Sequence, residues 1–290
     1  MKTFLKRLKG GLYKRFVKHY WKLESLCFEL RARLPRLRKP DSVLHSLPGA
    51  LIISLTSFPP RFRKLPLTIK CLLRQSVSPD LIILWIAHSD QADLTTEILD
   101  LESDCPRFQI RYCDDYRSYK KLIPTLEEYP EAFVVTADDD VFYPRWWLKH
   151  FCDNWDGGFN AVISYRVHGV TFVETSVPEP YRKWNHCLMN TANENSLFAT
   201  GIAGVLYPPS CLDKRVLDKE TFLRICPNAD DVWFFWMTRL NGSTVRKTTD
   251  SFHVVNWLGS DQSGLAIDNV SRGGNDKQIQ NMIGEFGWPE

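Results

Sequence analysis

Three consecutive carboxylates, Asp138, Asp139 and Asp140, follow directly on the apolar, β-branched run FVVTA and precede the apolar Val141 and Phe142. A strand of that composition is buried, so its end places three like charges where water is scarce, which is costly without a cation to share. Residues two apart on an extended chain can point the same way. Asp138 and Asp140 are therefore candidate ligands for a hard divalent cation, Mn²⁺ or Mg²⁺, while Asp139 turns to the structure on the donor side. An ion held by only two carboxylates keeps positions for phosphate oxygens and acts as a Lewis acid on a leaving diphosphate. The competing reading is a solvated acidic turn, and the strand before it favours the metal. Other aspartate chemistries fit less well. Phe142 stands where a prenyl-diphosphate DDxxD motif needs an acid and where a haloacid-dehalogenase phosphatase needs a threonine, and there is no GxxxxGK[ST].

Those carboxylates need elements to place them, and a β/α rhythm supplies candidates. LIISLTS (51–57), LIILWIA (81–87), FQIRYC (108–113) and FVVTA (133–137) read as buried strands. The helical or polar stretches PLTIKCLLRQS, SDQADLTTEILDLES and YRSYKKLIPTLEEY alternate with them. The expected fold class is α/β: a mixed, mostly parallel Rossmann-like sheet with flanking helices. Ligands of such sheets sit beyond the carboxyl ends of the strands. Thr56, Ser57, Arg61, Arg63, Asp115, Lys120 and Lys121 all fall there, and with Asp139 they make up the candidate donor-binding set. The four cations could meet a diphosphate, but surface solvation is the competing reading for each, and only one or two are expected to bind. Asp115 could bond a base or ribose, or shape a turn.

The later part of the chain is less regular. FNAVISYRVHGV reads as a strand, SLFATGIAGVLYPP as a strand broken by glycines, and NADDVWFFWMTRL as a helix capped by residues 228–231. Asp231 at that helix start could accept a proton from a hydroxyl, with Asp230 as alternative or orienting neighbour; a plain N-cap is the other reading. Gly201 and Gly204 permit close backbone approach, or mark a bulge. His253, between Phe252 and Val254, is either a packed strand histidine or a metal ligand.

These pieces resemble, in order and spacing over residues 51–256, the GT-A fold nucleotide-sugar glycosyltransferases, nearest to the fringe-like and β1,3-galactosyltransferase pattern. DDYRSYKK ahead of TADDDVF is similar to the approach to that family's DxD. TGIAGVLYPP resembles its acceptor loop, ADDV its acidic pair before a helix, and SFHVVN its C-terminal metal-shell histidine. The resemblance implies a metal at Asp138, Asp140 and His253, with a nucleotide-sugar donor, UDP-linked by default. It also implies Asp231 as base of an inverting transfer and Gly201 and Gly204 at the acceptor, a glycan or lipid-linked saccharide. The chain lacks the membrane anchor and regular cysteine pattern of the animal members, so a bacterial surface-glycan role is the expectation. A metal-dependent nucleotidyltransferase and a non-catalytic membrane-associated binding protein of the same fold remain as alternatives.

Charge divides the chain. Residues 1–40 hold thirteen Lys/Arg and two acids, whereas the remaining 250 hold 24 basic and 32 acidic residues. In the arm Leu5, Leu8, Leu12, Phe16, Tyr20 and Leu23 recur at helical steps, giving a basic amphipathic helix suited to an anionic membrane surface or to packing on the body. Nucleic acid is disfavoured, since no recognised motif accompanies the charge. The expected organisation is an arm and linker over 1–48, a transferase domain over 49–258 and a C-terminal tail or flap over 259–290. Within that domain 49–144 is the nucleotide-binding half and 145–258 the acceptor half. Eight scattered cysteines, with no CxxC, read as reduced, buried thiols. With no apolar run of membrane-span length and no secretory signal, the expected location is cytoplasmic, peripheral on the inner membrane face. Ten tryptophans suit a sugar-binding cleft, but core filling is the favoured reading.

Overall fold

The structure, a computed structural model, describes residues 10–33, 42–174, 176–191, 196–251, 253–260 and 273–289, with backbone alone for 10–18. Its centre is a seven-stranded sheet built from β1 (Leu51–Thr56), β2 (Leu81–Ala87), β3 (Phe108–Cys113), β4 (Phe133–Ala137), β5 (Ala161–Ser164), β6 (Val205–Tyr207) and β7 (Thr244–Lys247). The spatial order is β7-β5-β6-β4-β1-β2-β3. Strand β1 runs parallel to β2 and β4, β2 to β3, and β7 to β5; only β6 is antiparallel, set between β4 and β5. The four strands expected from periodicity lie within a residue of their expected bounds, and the mixed, mostly parallel α/β class is the one observed.

Both faces of the sheet are covered, and the strands alternate between them as extended chains must. Leu51, Ile53, Leu55, Leu84, Val135 and Ala137 join one core. It includes residues of α2 (Leu65–Leu72), α3 (Thr96–Asp104) and α5 (Trp147–Asn154). Ile52, Ile83, Trp85 and Val134 join the other, with α4 (Ile123–Glu128), α6 (Lys219–Ile225), α7 (Asp230–Leu240) and α8 (Gly274–Phe286). Trp85, Trp147, Trp233, Trp236 and Trp257 are fully buried, so half of the tryptophans fill core. Pro124 does not interrupt a helix: Arg117–Lys121 is a 3-10 turn, and the proline sits in the first turn of α4, where its missing N–H costs nothing.

Two terminal segments differ from their sequence reading. The basic arm is helical, α1 (Gly10–Arg33), but its contact with the body runs through Ser25, Phe28, Glu29 and Ala32. Glu29 accepts from Lys64 Nζ at 2.7 Å, and Phe28 stacks on Phe142 at 4.1 Å. Tyr20 and Leu23, from the expected apolar stripe, are exposed; Leu5 and Leu8 lie outside the described residues. The expected C-terminal tail or flap contains α8, whose Ile279 and Met282 are buried against the second core. Residues 261–272 lie outside the described residues. All eight cysteines are unpaired, but only Cys71, Cys152, Cys211 and Cys226 are buried, and Cys27 and Cys187 are exposed. No described helix is long and apolar enough to cross a membrane.

Candidate functional site

A cleft of about 720 Å³ opens at the carboxyl ends of the parallel strands. Thr56, Ser57 and Arg61 reach it from beyond β1, Asp115, Lys120 and Lys121 from beyond β3, and Asp138, Asp139 and Asp140 from beyond β4. Gly201 enters from the turn before β6, and Asp230 and Asp231 from the first turn of α7. Twelve of the fifteen residues singled out in the sequence thus meet in one place. Three do not. Arg63 is exposed elsewhere. Gly204 lies behind the cleft with φ +99°, and a side chain there would meet the Trp147 ring at 2.7 Å and the Thr136 carbonyl at 3.0 Å. Packing, not acceptor approach, accounts for that glycine. His253 stacks near Trp21 at 4.8 Å and bonds Glu24 at 3.3 Å, both on α1.

The three aspartates are compensated unequally. Asp139 turns inward, as expected, and accepts from Ser57 Oγ at 2.5 Å and from Arg61. Asp140 lies 3.3 Å from Arg61 and takes side-chain bonds from Asn256 and Ser260; burial and the Asp139 charge nonetheless hold its carboxyl above the usual range. Among the described residues the one ion-pair partner of Asp138 is Lys121, at 3.8 Å. Burial pushes its carboxyl up to about 7, with Lys121 opposing and Asp140 and Asp139 adding. The loop's backbone is pinned. The Asp138 N–H donates to Tyr143 Oη at 2.7 Å, and Thr68 Oγ1, itself bonded by Trp257 Nε1, donates to the Asp139 carbonyl at 2.9 Å.

Lys121 connects these carboxylates to a second group. Its ammonium lies 2.9 Å from Asp230, and although burial acts to lower its pKa, Asp230, Asp138 and Asp231 hold it well above the ordinary value. Asp231 takes the Gly201 N–H on Oδ1 at 2.9 Å. Burial and the Asp230 charge push its carboxyl up to about 6. Gly201 must lack a side chain because a Cβ would fall 2.7 Å from Lys121 Nζ and 2.9 Å from Asp231 Oδ1. Neither aspartate caps α7, contrary to expectation. Ala229 is the N-cap, and Asn228 is engaged by Arg117 and by Gln278. First-turn carboxylates remain favoured there by the helix dipole.

Among the described residues no group of three His, Cys, Asp or Glu converges as a protein-only metal cage. Asp138 and Asp140 offer hard oxygen ligands, and Asp138 is a half-buried carboxylate that opens on the cleft, with one distant cation among the described residues. That donor set fits a divalent ion shared with phosphate oxygens, not one enclosed by protein. Where the resemblance implied His253, the structure puts Asn256 against Asp140. Arg166, Tyr181, Phe198 and Asn275 also line the cleft and were not anticipated. Arg166 lies between two strands that the sequence merged into one, and Asn275 is in the helix read as a flap. Only the chain's return to the sheet brings either residue here.

Replacing Lys121 by methionine leaves the buried Asp230 and Asp138 charges without a partner. Urea unfolding of Lys121→Met at pH 7 is expected to show a loss of about 3–5 kcal/mol. A change below about 1 kcal/mol would mean that the ammonium is not the buried link described.

No protein-family model matches the chain, and no curated protein matches it. Solved structures similar to it include residues 1–349 of Staphylococcus aureus TarS in complex with UDP, at 12% identity and TM-score 0.46 over 71% of this chain. The chain spans 59% of that TarS chain. The mannosyltransferase PcManGT of Pyrobaculum calidifontis, in complex with GDP-Man and Mn²⁺, is 13% identical with TM-score 0.49, over 90% of this chain and 71% of its own. The inositol-1-phosphate CTP transferase of T. maritima is 12% identical with TM-score 0.42, over 84% and 98%. These are low-identity similarities of architecture, and the cleft's own residues carry the functional reading.

Proposed function

We propose that the protein is a metal-dependent glycosyltransferase that moves a sugar from a nucleotide-diphosphate donor, UDP-linked by preference, to a hydroxyl of a glycan or lipid-linked saccharide. One observation carries this reading. A pair of hard-metal carboxylates, Asp138 and Asp140, shares a cleft with a separate elevated carboxyl, Asp231, the two groups being joined through Lys121. Asp138 and Asp140 would hold Mn²⁺ or Mg²⁺, which when bound neutralises charge on the diphosphate leaving group. Lys120 and Arg61 supply cations on the same side, each now paired with a carboxylate that a phosphate oxygen could replace.

Asp231 acts on the acceptor side. Its Oδ1 is occupied by the Gly201 N–H, which leaves Oδ2 for a hydroxyl. The acceptor oxygen bonds to the anomeric carbon as that carbon's bond to the diphosphate breaks, and the hydroxyl proton passes to Asp231. Attack from the face opposite the leaving group inverts the centre. A carboxyl raised to about 6 is a stronger base than an ordinary aspartate and is still ionised at neutral pH. Helix α1 adds an attachment. Exposed Tyr20, Trp21, Leu23 and Leu30, beside exposed Lys22, Arg31 and Arg33, suit an anionic bilayer. That surface would place the enzyme where a lipid-linked acceptor lies.

Calorimetric titration of UDP, GDP and CMP with and without Mn²⁺ tests the donor site. One nucleotide is expected to bind only with the ion, at least tenfold more weakly in Asp140→Ala. Absence of binding by all three to folded protein would sink the transferase reading, and release of pyrophosphate during turnover would indicate nucleotidyl transfer. With the donor identified and Mn²⁺ saturating, so that Asp138 is kept ionised, kcat/KM should fall tenfold per pH unit below about 6, as Asp231 protonates, and hold level above it. An acid limb that survives unchanged in a partly active Asp231→Asn would assign the limb to another group. For α1, co-sedimentation is expected with vesicles of phosphatidylglycerol but not of phosphatidylcholine, reduced in Leu23→Asp/Leu30→Asp; equal recovery on both vesicle types would remove the membrane role.

A further inference from the structure

Most cations of the cleft are already engaged. Arg61 pairs with Asp139 and Asp140, Lys120 with Asp115, Lys121 with Asp230, and Arg117 donates to Asn228 and the Pro227 carbonyl. Arg166 differs. Its Nε is buried without a hydrogen-bond partner, and among the described residues no carboxylate lies within ion-pair distance of its guanidinium. Arg166 is only half-buried, but a buried N–H left unpaired is unfavourable, so its place in the cleft calls for a ligand.

The residue is held firmly. The Arg166 carbonyl accepts from Ser164 Oγ at 2.9 Å and from the Thr200 N–H at 3.0 Å, and its own N–H donates to Ser164 Oγ at 3.2 Å. Its cleft neighbours Tyr181 and Phe198 are aromatic, with ring centroids 6.0 Å apart, and both are buried. Arg166 therefore stands beside aromatic side chains, unlike the carboxylates clustered around Asp138. The Arg166 charge also acts on Asp231, which places the guanidinium near the candidate base.

We propose that Arg166 is a specificity-determining residue that pairs with an anionic group, a phosphate or a carboxylate, on the acceptor whose hydroxyl meets Asp231. This rests on the transferase reading and names the acceptor class. A planar guanidinium engages either anion through two parallel N–H bonds, which fixes orientation as well as charge. Tyr181 and Phe198, packed behind it, would bound the space that the acceptor occupies. A phosphorylated saccharide and a uronic acid present the same chemistry to Arg166, and the test separates them.

Full-length wild type, Arg166→Gln and Arg166→Lys would be compared in two measurements. The first is the UDP titration with Mn²⁺. Arg166→Gln is expected to match wild type within about twofold, whereas a tenfold loss would put Arg166 on the donor diphosphate and overturn the proposal. The second is ligand-observed NMR of glycerol 1-phosphate against glycerol and of methyl β-D-glucuronide against methyl β-D-glucoside, each with and without UDP and Mn²⁺. One anionic probe is expected to bind at least tenfold more tightly than its neutral counterpart, with the preference erased in Arg166→Gln and reduced in Arg166→Lys. The favoured pair identifies phosphate or carboxylate. No preference in either pair, or a preference that survives Arg166→Gln, overturns the proposal. Failure of UDP, GDP and CMP alike to bind wild type would sink the transferase reading separately, and the nucleotide-free NMR arm would still report on Arg166.

Discussion

The arrangement of this protein turns on one buried ammonium. Lys121 comes from a 3-10 turn after β3, yet it sits against Asp230 on α7 and near Asp138 at the end of β4. Three segments far apart in the chain must approach for that charge to be compensated, and an unpaired lysine at that depth would be too costly to keep. Gly201 belongs to the same constraint. Its bare Cα lets the turn before β6 close over Lys121 and Asp231, so the antiparallel strand and the helix are brought together around the ion pair.

The same economy governs the three aspartates. Strand β4 is buried on both faces, and its end can carry three carboxylates only because each finds a different answer. Asp139 is neutralised within the protein by Arg61 and Ser57. Asp140 shares Arg61 and takes amide and hydroxyl bonds from the segment that runs back along the loop. Asp138 is left with a distant cation and stays hard to ionise. Unequal compensation of equal residues is what a binding site requires. One member anchors the loop, and the others keep oxygen atoms available to a cation that would hold them ionised.

Around this centre the termini act as walls. Ser25 of α1 donates to the Asn256 carbonyl at 2.8 Å, and the Asn256 side chain bonds Asp140, so the N-terminal helix supports the segment that supports the aspartate. From the other side α8 brings Asn275 to the cleft, and Asp276 accepts the Tyr181 N–H at 2.6 Å. Both ends of the chain therefore shape a site whose charged residues come from the middle.

Much of this was legible in one dimension. The β-branched runs specified β1 to β4 because a strand buried on both faces must be continuously apolar, and the polar residues after each run marked the edge where ligands collect. Asp138, Asp140, Asp231 and Lys121 could be picked out by their position at element ends. Their mutual distances could not, nor could the roles of Arg166, Asn256 and Asn275, which carry no local signal and matter only through the neighbours the fold supplies. His253 shows the converse. Its place in a family-like order suggested the cleft, but α1 packs alongside and takes it as a partner for Trp21 and Glu24. The amphipathic arm was legible in part. Periodicity identified the helix, but the contact made by Ser25, Glu29 and Ala32 was decided by hydrogen bonds, an ion pair and close packing, which hydropathy does not record. What the sequence by itself determined was the strands, their class of sheet and the chemistry at their ends, since these follow from local period and charge. Which charges meet, and which are left over, was decided by the tertiary structure alone, because compensation in a desolvated cleft depends on distances between segments remote in the chain.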